Sequence, residues 1–172
     1  MTELRRPEVL APEHDRSRFD SGAPALDDWL RRFAGQNRRR ETAATWVVTD
    51  GAGAVTAFAS VAMTGIDRSA APATVARHAP DPIPGLLLAR LAVDRRVQGL
   101  GVGTALVAHV LSTAVELNTK AACRAVGVIA LDAAARSWWE RLGFGPFDPA
   151  GPDGLDLYLL TSTIEATLRA RR

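Results

Sequence analysis

The segment Gln98-Gly99-Leu100-Gly101-Val102-Gly103 constrains this chain more than any other, because three glycines at alternate positions come shortly after the apolar run "LLLARLAV" (Leu86 to Val93). Inside a helix each glycine costs roughly 1 kcal/mol relative to alanine, so the cluster reads as a turn. Beyond it, Val102, Leu106, Val110, Ala114 and Leu117 recur at helical spacing, which predicts a helix from Gly101 to about Leu117 with Asn118 at its end. A strand, a glycine turn and a helix in this order aim backbone N–H groups at an anion, and the helix N-terminus adds about half an elementary charge. Such turns also occur simply to let a helix pack close to a sheet. The pattern alone leaves phosphate binding and packing both open.

The flanking sequence predicts a mixed α/β (α+β) fold. "VLAP" is a candidate edge strand, and the run from Ala25 to about Arg40 places Leu26, Trp29, Leu30, Phe33 and Ala34 on one helical face. Asp27 and Asp28 in its first turn and Arg38, Arg39 and Arg40 in its last suit the helix dipole. "ATWVVTD" and "AVTAFASVAM" flank "GAG" as a hairpin. A short helix and a proline-bounded loop are expected over residues 67 to 84, followed by the buried central strand "GLLLARLAVD". After the predicted helix come a strand "CRAVGVIAL", a helix "DAAARSWWERLGF" closed by Gly143, a strand "LDLYLLTS" and a helix "TIEATLRARR". Together these predict a central mixed sheet of about six to seven strands with helices packed on both faces.

At 172 residues and 47% apolar composition the chain is read as one domain, residues 1 to 172. "MTELRRPEVLAPEHD" lacks the continuous apolar segment of a signal peptide, and no stretch approaches the roughly 20 apolar residues of a membrane span. The expectation is a cytoplasmic protein with no membrane association. The single cysteine, Cys123, excludes an internal disulfide, and His14, His78 and His109 form no zinc pattern with it, so no metal is expected. The net charge is only +2, yet Lys120 is the sole lysine and the remaining cations are arginine. Codon preference explains that composition. Clustered guanidinium groups also bind phosphate, and "RRFAGQNRRR" (Arg31 to Arg40) and the C-terminal "RARR" are the places to look.

Among phosphate-binding classes, a P-loop needs Gly-Lys-Ser/Thr where this chain has Gly103-Thr104-Ala105, and a dinucleotide fingerprint needs a glycine where Thr104 stands. The stretch "LAVDRRVQGLGVGTALVAHVL" resembles the acyl-CoA-binding motif of the GNAT acetyltransferase superfamily, Arg/Gln-x-x-Gly-x-Gly/Ala, here Gln98 through Gly103. "DAAARSWWERLGF" resembles the Asn-x-x-Ala-x-x-Phe-Tyr-Glu-Lys-x-Gly-Phe helix of that superfamily, in the expected order and at the expected separation. "FDSGAPALDDWLRRFA", "PDPIPGLLLARLAVD" and "LDLYLLTSTIEATL" look like the GNAT branch that serves as toxins in toxin-antitoxin pairs.

The resemblance implies a set of roles. Gln98, Gly99, Leu100, Gly101, Val102, Gly103 and Thr104 would hold the pyrophosphate of acetyl-CoA, and Leu91, Ala92 and Val93 would supply backbone contacts to pantetheine and the thioester carbonyl. Asp132 and Trp138 would lie along pantetheine. The implied acceptor is the α-amino group of aminoacyl-tRNA, with Arg38, Arg39, Arg40, Arg95 and Arg96 as candidate phosphate contacts. The implied protein partner is a ribbon-helix-helix antitoxin, and a homodimer is a further possibility. Where the family has the tyrosine that protonates the departing thiolate, this chain has Trp139, whose indole is a donor only in the hydrogen-bonding sense. General acid help is worth about 10² to 10⁴ in rate. An α-amine with a pKa near about 8 needs less deprotonation than a lysine near about 10.4, so α-amine acetylation tolerates the change best. Tyr158, the only tyrosine, is the alternative proton source, and packing is the alternative role for both tryptophans. Two other functions stay open: a GNAT acting on a small amine or a protein N-terminus, and a non-catalytic acyl-CoA-binding protein.

Overall fold

The computed structural model describes residues 3–148 and 154–171. Arg172, the last of the C-terminal arginines, lies outside the described residues. The strands form one seven-stranded mixed sheet in the order β1-β2-β3-β4-β5-β7-β6, and six helices accompany it among the described residues. No helix among the described residues is long and apolar enough to cross a membrane. The chain divides into two compact units, Met1–Ala62 with Ala89–Val110, and Met63–Leu88 with Leu111–Arg172.

The first unit holds β1 (Glu8–Val9), α1 (Pro24–Arg32), α2 (Ala34–Arg39), β2 (Ala44–Thr49), most of β3 (Val55–Ile66), the end of β4 (Ile83–Val93) and the start of α4 (Val102–Asn118). β1 pairs antiparallel with β2 and is the short edge strand expected near "VLAP". The β2–β3 hairpin places Val47 opposite Phe58, and its turn is closed by the Asp50 carboxylate, which accepts from the N–H groups of Ala52 and Ala54 at 3.0 and 2.9 Å. One face of the hairpin packs with Leu10, Phe19, Trp29, Leu30, Ala34 and Ala92 into a buried cluster. Burying a side chain such as Leu30 or Phe58 contributes roughly 1.5–3 kcal/mol, and this anchors α1 on the sheet.

The single helix expected from Ala25 to Arg40 is two helices. Phe33 is the joint, with φ −108° and ψ −26°, and its ring is 42% exposed rather than packed with Trp29, Leu30 and Ala34. Leu30 and Ala34 stay on one face across the joint, and the Leu30 carbonyl there is reached from outside the helix by Arg16 Nη1 at 3.4 Å.

The second unit holds the end of β3, α3 (Ala73–Ala76), the start of β4, the remainder of α4, β5 (Ala125–Ile129), α5 (Ala133–Arg141), β6 (Gly145–Pro146), β7 (Asp156–Leu160) and α6 (Thr161–Ala170). β5 runs parallel to β4 and antiparallel to β7, as strand-helix-strand connections through α4 require of the first pair. Val75, Ala79 and Ile83 are buried together, with Ile66, Tyr158 and Leu160 packed against them. The two-residue β6 was not expected. It carries no apolar alternation and exists because Gly145 and Pro146 lie opposite Tyr158 and Leu157.

Candidate active site

β4 supplies the backbone of the site in the first unit. Its parallel ladder to β5 covers Gly85 to Leu88 only. The carbonyl of Pro84 accepts from Arg124 N–H on the β5 side at 2.8 Å, whereas the N–H of Asp94 donates to the Thr56 carbonyl on the β3 side at 2.8 Å. These residues are an even number apart, so in a regular strand their polar groups would face the same neighbour. They face opposite ones. An irregularity of the β-bulge kind therefore lies between them, the device that re-aims a strand beside functional sites. Val93, next to Asp94, faces away from β3: its carbonyl accepts from Gln98 Nε2 at 2.8 Å, and its N–H projects from the same edge.

The turn after β4 is built on a buried carboxylate. Asp94, 1% exposed, accepts from the N–H groups of Arg96 and Asp20 at 2.9 and 3.1 Å, and from Arg96 Nε and Nη2 at 2.8 and 2.9 Å. Burial pushes this carboxyl up, but the Arg96 guanidinium and the two backbone N–H groups outweigh it and hold its pKa below the ordinary value. Arg96 is thereby committed to bracing the 3-10 turn Arg95–Val97, which does not leave it as a free phosphate ligand. Arg95 meets Asp20 at 3.5 Å with both side chains largely exposed, and so keeps its charge accessible. Gln98 is a second brace: its Nε2 donates to the carbonyls of Ser21 and Val93 at 2.9 and 2.8 Å, tying the turn to the α1 approach and to the strand end.

Gly99 and Gly101 have φ of +78° and +79°, the left-handed region that L side chains avoid. A Cβ added at either would meet no protein atom within 4 Å, so the space above both is open. Val102, Gly103 and Thr104 follow in the first turn of α4, and Leu100 stands 70% exposed at the tip. Among the described residues no protein acceptor takes the N–H groups of Gly99, Gly101, Val102, Gly103 or Thr104, while Ala105 N–H is the first to bond back, to Gly101 at 3.0 Å. Unpaired N–H groups on a left-handed turn at the start of a 17-residue helix form a cradle for an oxyanion.

Residues 41–146 match the family described as Acetyltransferase (GNAT) domain. The chain belongs to the GNAT acetyltransferases. It is 35% identical over 151 residues, 87% of this chain and 90% of the relative, to the "tRNA-acetylating toxin" of Mycobacterium tuberculosis (strain ATCC 25618 / H37Rv). Among solved structures it is similar to AtaT complexed with acetyl-methionyl-tRNAfMet, at 26% identity and TM-score 0.87, covering 96% of this chain and 99% of that one. It is also similar to the AtaT Y144F mutant toxin bound to the C-terminus of the antitoxin AtaR and acetyl-CoA, at 26% identity and TM-score 0.83, covering 96% and 98%. The open glycine turn of this GNAT chain fits the pyrophosphate of acetyl-CoA, since its amides are donors without acceptors and coenzyme A phosphates are acceptors without donors.

The other sequence-predicted residues of the GNAT chain fall into two groups. In the first unit, Arg38 and Arg39 end α2 and Arg40 follows it, all three exposed, with no carboxylate paired to them among the described residues. Ala92 is buried in the core cluster, and Leu91 and Val93 are half-buried on either side of it. In the second unit, Asp132 caps α5, its Oδ1 accepting from Ala135 N–H at 2.8 Å, and Gly143 closes the helix with φ +99°. Trp139 is 6% exposed, with its ring edge-on to those of Trp138 and Phe144 at 4.8 and 5.1 Å. The Tyr158 hydroxyl shares a 2.7 Å hydrogen bond with Thr74 Oγ1, and its ring meets Phe147 edge-on. Sequence reasoning missed Asp94 and the Ser21 carbonyl. An aspartate immediately before Arg95-Arg96 was the available signal for the first, and nothing local marks the second.

Proposed function

We propose that this GNAT chain, working as one domain in the cytoplasm, transfers the acetyl group of acetyl-CoA to the α-amino group of aminoacyl-tRNA and acts as the toxin of a toxin-antitoxin pair. The observation that carries the donor half is the set of unpaired amides at Gly99, Gly101, Val102, Gly103 and Thr104. The acceptor half is supported by the identity to a tRNA-acetylating toxin and by the unpaired Arg38-Arg39-Arg40 cluster, with Arg95 as a further exposed cation. The proposed protein partner is a ribbon-helix-helix antitoxin, in keeping with the antitoxin-bound AtaT structure.

In this reading acetyl-CoA supplies an activated thioester. The neutral amine attacks the carbonyl carbon, the C–S bond breaks, an amide and the coenzyme A thiolate result, and the proton lost from nitrogen passes to the thiolate by way of solvent. The N–H on the open edge of Val93 is the donor to the developing oxyanion, with Leu91 on the same strand. A backbone donor held on a strand does not reorganise during reaction, which is the usual source of a large catalytic effect. Trp139 takes no part in proton transfer and packs instead. The test is purified full-length protein with acetyl-CoA and charged tRNA: an acetylated aminoacyl product is expected. Acetylation of small amines or peptide N-termini but not of charged tRNA would reject the acceptor, and coenzyme binding with no transfer to any amine would reject the enzyme.

A further inference from the structure

Arg90 is a charged residue inside the apolar run of β4, and the first unit gives it an unusual setting. Its guanidinium carbon lies 4.4 Å from the ring centroid of Trp29. Trp29 in turn stacks on Phe58 at 5.8 Å and 15°, and Phe58 meets Phe19 edge-on at 5.6 Å. Arg90 therefore caps a column of rings whose buried packing fixes the Trp29 face beneath it. A guanidinium drawn to a ring face by its charge still has N–H donors to offer an anion.

The carboxylates of α1 and of the turns before α1 and after β4 are already taken. Asp27 accepts from Ser21 N–H and Oγ at 3.0 and 2.6 Å, Asp28 meets Arg32 at 3.4 Å, Asp20 meets Arg95, and Asp94 holds Arg96. Among the described residues no carboxylate or carbonyl accepts from Arg90. A half-buried and unneutralised cation costs stability unless a ligand completes it. Position indicates which ligand. The donor's phosphates belong at Gly99 to Thr104, beyond the C-terminal end of β4, while Arg90 precedes Leu91, Ala92 and Val93 and so stands on the opposite side of the thioester position.

We infer that Arg90 binds the phosphodiester nearest the aminoacylated 3′ end of the acceptor strand and thereby positions the α-amine against the thioester. The inference rests on the acceptor proposed above and extends it from the exposed Arg38-Arg39-Arg40 cluster to a specific contact beside the reacting atoms. A bidentate guanidinium–phosphate pair aligns its ligand in a way a lysine ammonium cannot.

The test compares wild type, Arg90→Gln and Arg90→Lys on two acceptors carrying the same α-amine: an aminoacyl-tRNA, and the methyl ester of that amino acid, which has no phosphate. The expected result for Arg90→Gln is a loss of about 10- to 100-fold in the ratio of kcat/KM on tRNA to kcat/KM on the ester, the size of one charge-assisted contact. Arg90→Lys should recover only part of it. The slope of log kcat/KM for tRNA against log salt should flatten by about one phosphate contact in Arg90→Gln. Acetyl-CoA affinity by calorimetry reports whether each variant is folded. Equal losses on both acceptors, or an unchanged salt slope, would overturn the role of Arg90 while leaving the acceptor standing. A wild type that acetylates the ester but no aminoacyl-tRNA would overturn the acceptor and this contact together.

Discussion

Replacing Gly101 separates the conformational role of the cradle from its binding role. At φ +79° an alanine is held in the left-handed region, which costs about 1–2 kcal/mol. Its Cβ meets no protein atom within 4 Å, so no steric penalty adds to that figure in the free protein. For a chain of this size each kcal/mol shifts Tm by about 2–4 °C, which predicts a fall of about 2–8 °C for Gly101→Ala. Gly101→Glu carries the same backbone penalty and should melt within a few degrees of the alanine variant. The two should diverge in binding. A carboxylate about 4 Å from a phosphate charge is opposed by about 4 kcal/mol at an effective dielectric of 20, so acetyl-CoA affinity of Gly101→Glu should lie at least about 100-fold below that of Gly101→Ala. Thermal melts and titration calorimetry with acetyl-CoA on the full chain give both quantities. Equal affinities for the two variants would refute the cradle, because the open space over Gly101 would then be solvent that the donor never enters.

Three further outcomes follow from the same geometry. Asp94, with its pKa held below the ordinary carboxylate value, stabilises the fold above about pH 4 and loses that contribution as pH falls through its lowered folded-state pKa. Denaturation of Asp94→Asn should accordingly show a shallower loss of stability below pH 4 than wild type, with a cost of about 1–3 kcal/mol at neutral pH. Trp139→Ala should cost about 3–5 kcal/mol in chemical denaturation because the ring is buried between Trp138 and Phe144, whereas Trp139→Tyr should change kcat on charged tRNA by less than about tenfold. A gain of several hundredfold would show that a lost proton donor limits the enzyme. Tyr158→Phe removes only the hydroxyl shared with Thr74, so kcat should stay within about threefold, and a drop of about 10² or more would make Tyr158 the proton source.

Much of the fold was legible because local chemistry and tertiary position agree. The apolar run of β4, the helical periodicity of α4, and Asp132 and Gly143 bounding α5 each announce an element within a residue or two of where it lies. Gly99 and Gly101 were legible for the same reason, since a left-handed backbone leaves few alternatives to glycine. The break at Phe33 was not, because helical spacing continues through it and the group that reaches the Leu30 carbonyl at the joint, Arg16 Nη1, comes from outside the helix.

What the amino-acid sequence determined alone is the backbone of the proposed donor turn: glycines between a strand and a helix dictate its shape from short-range sterics, and the family motif is local. The tertiary structure decided which polar groups remain free. Arg96 and Gln98, equal candidates with Arg95 and Thr104 in a string of letters, are consumed by Asp94 and by the carbonyls of Ser21 and Val93, residues as distant as 77 positions along the chain. Arg90, unremarked within an apolar run, is left stacked on Trp29 without an anion. Availability for a ligand is the remainder after a fold has satisfied its own donors and acceptors. That remainder depends on partners brought together only by folding.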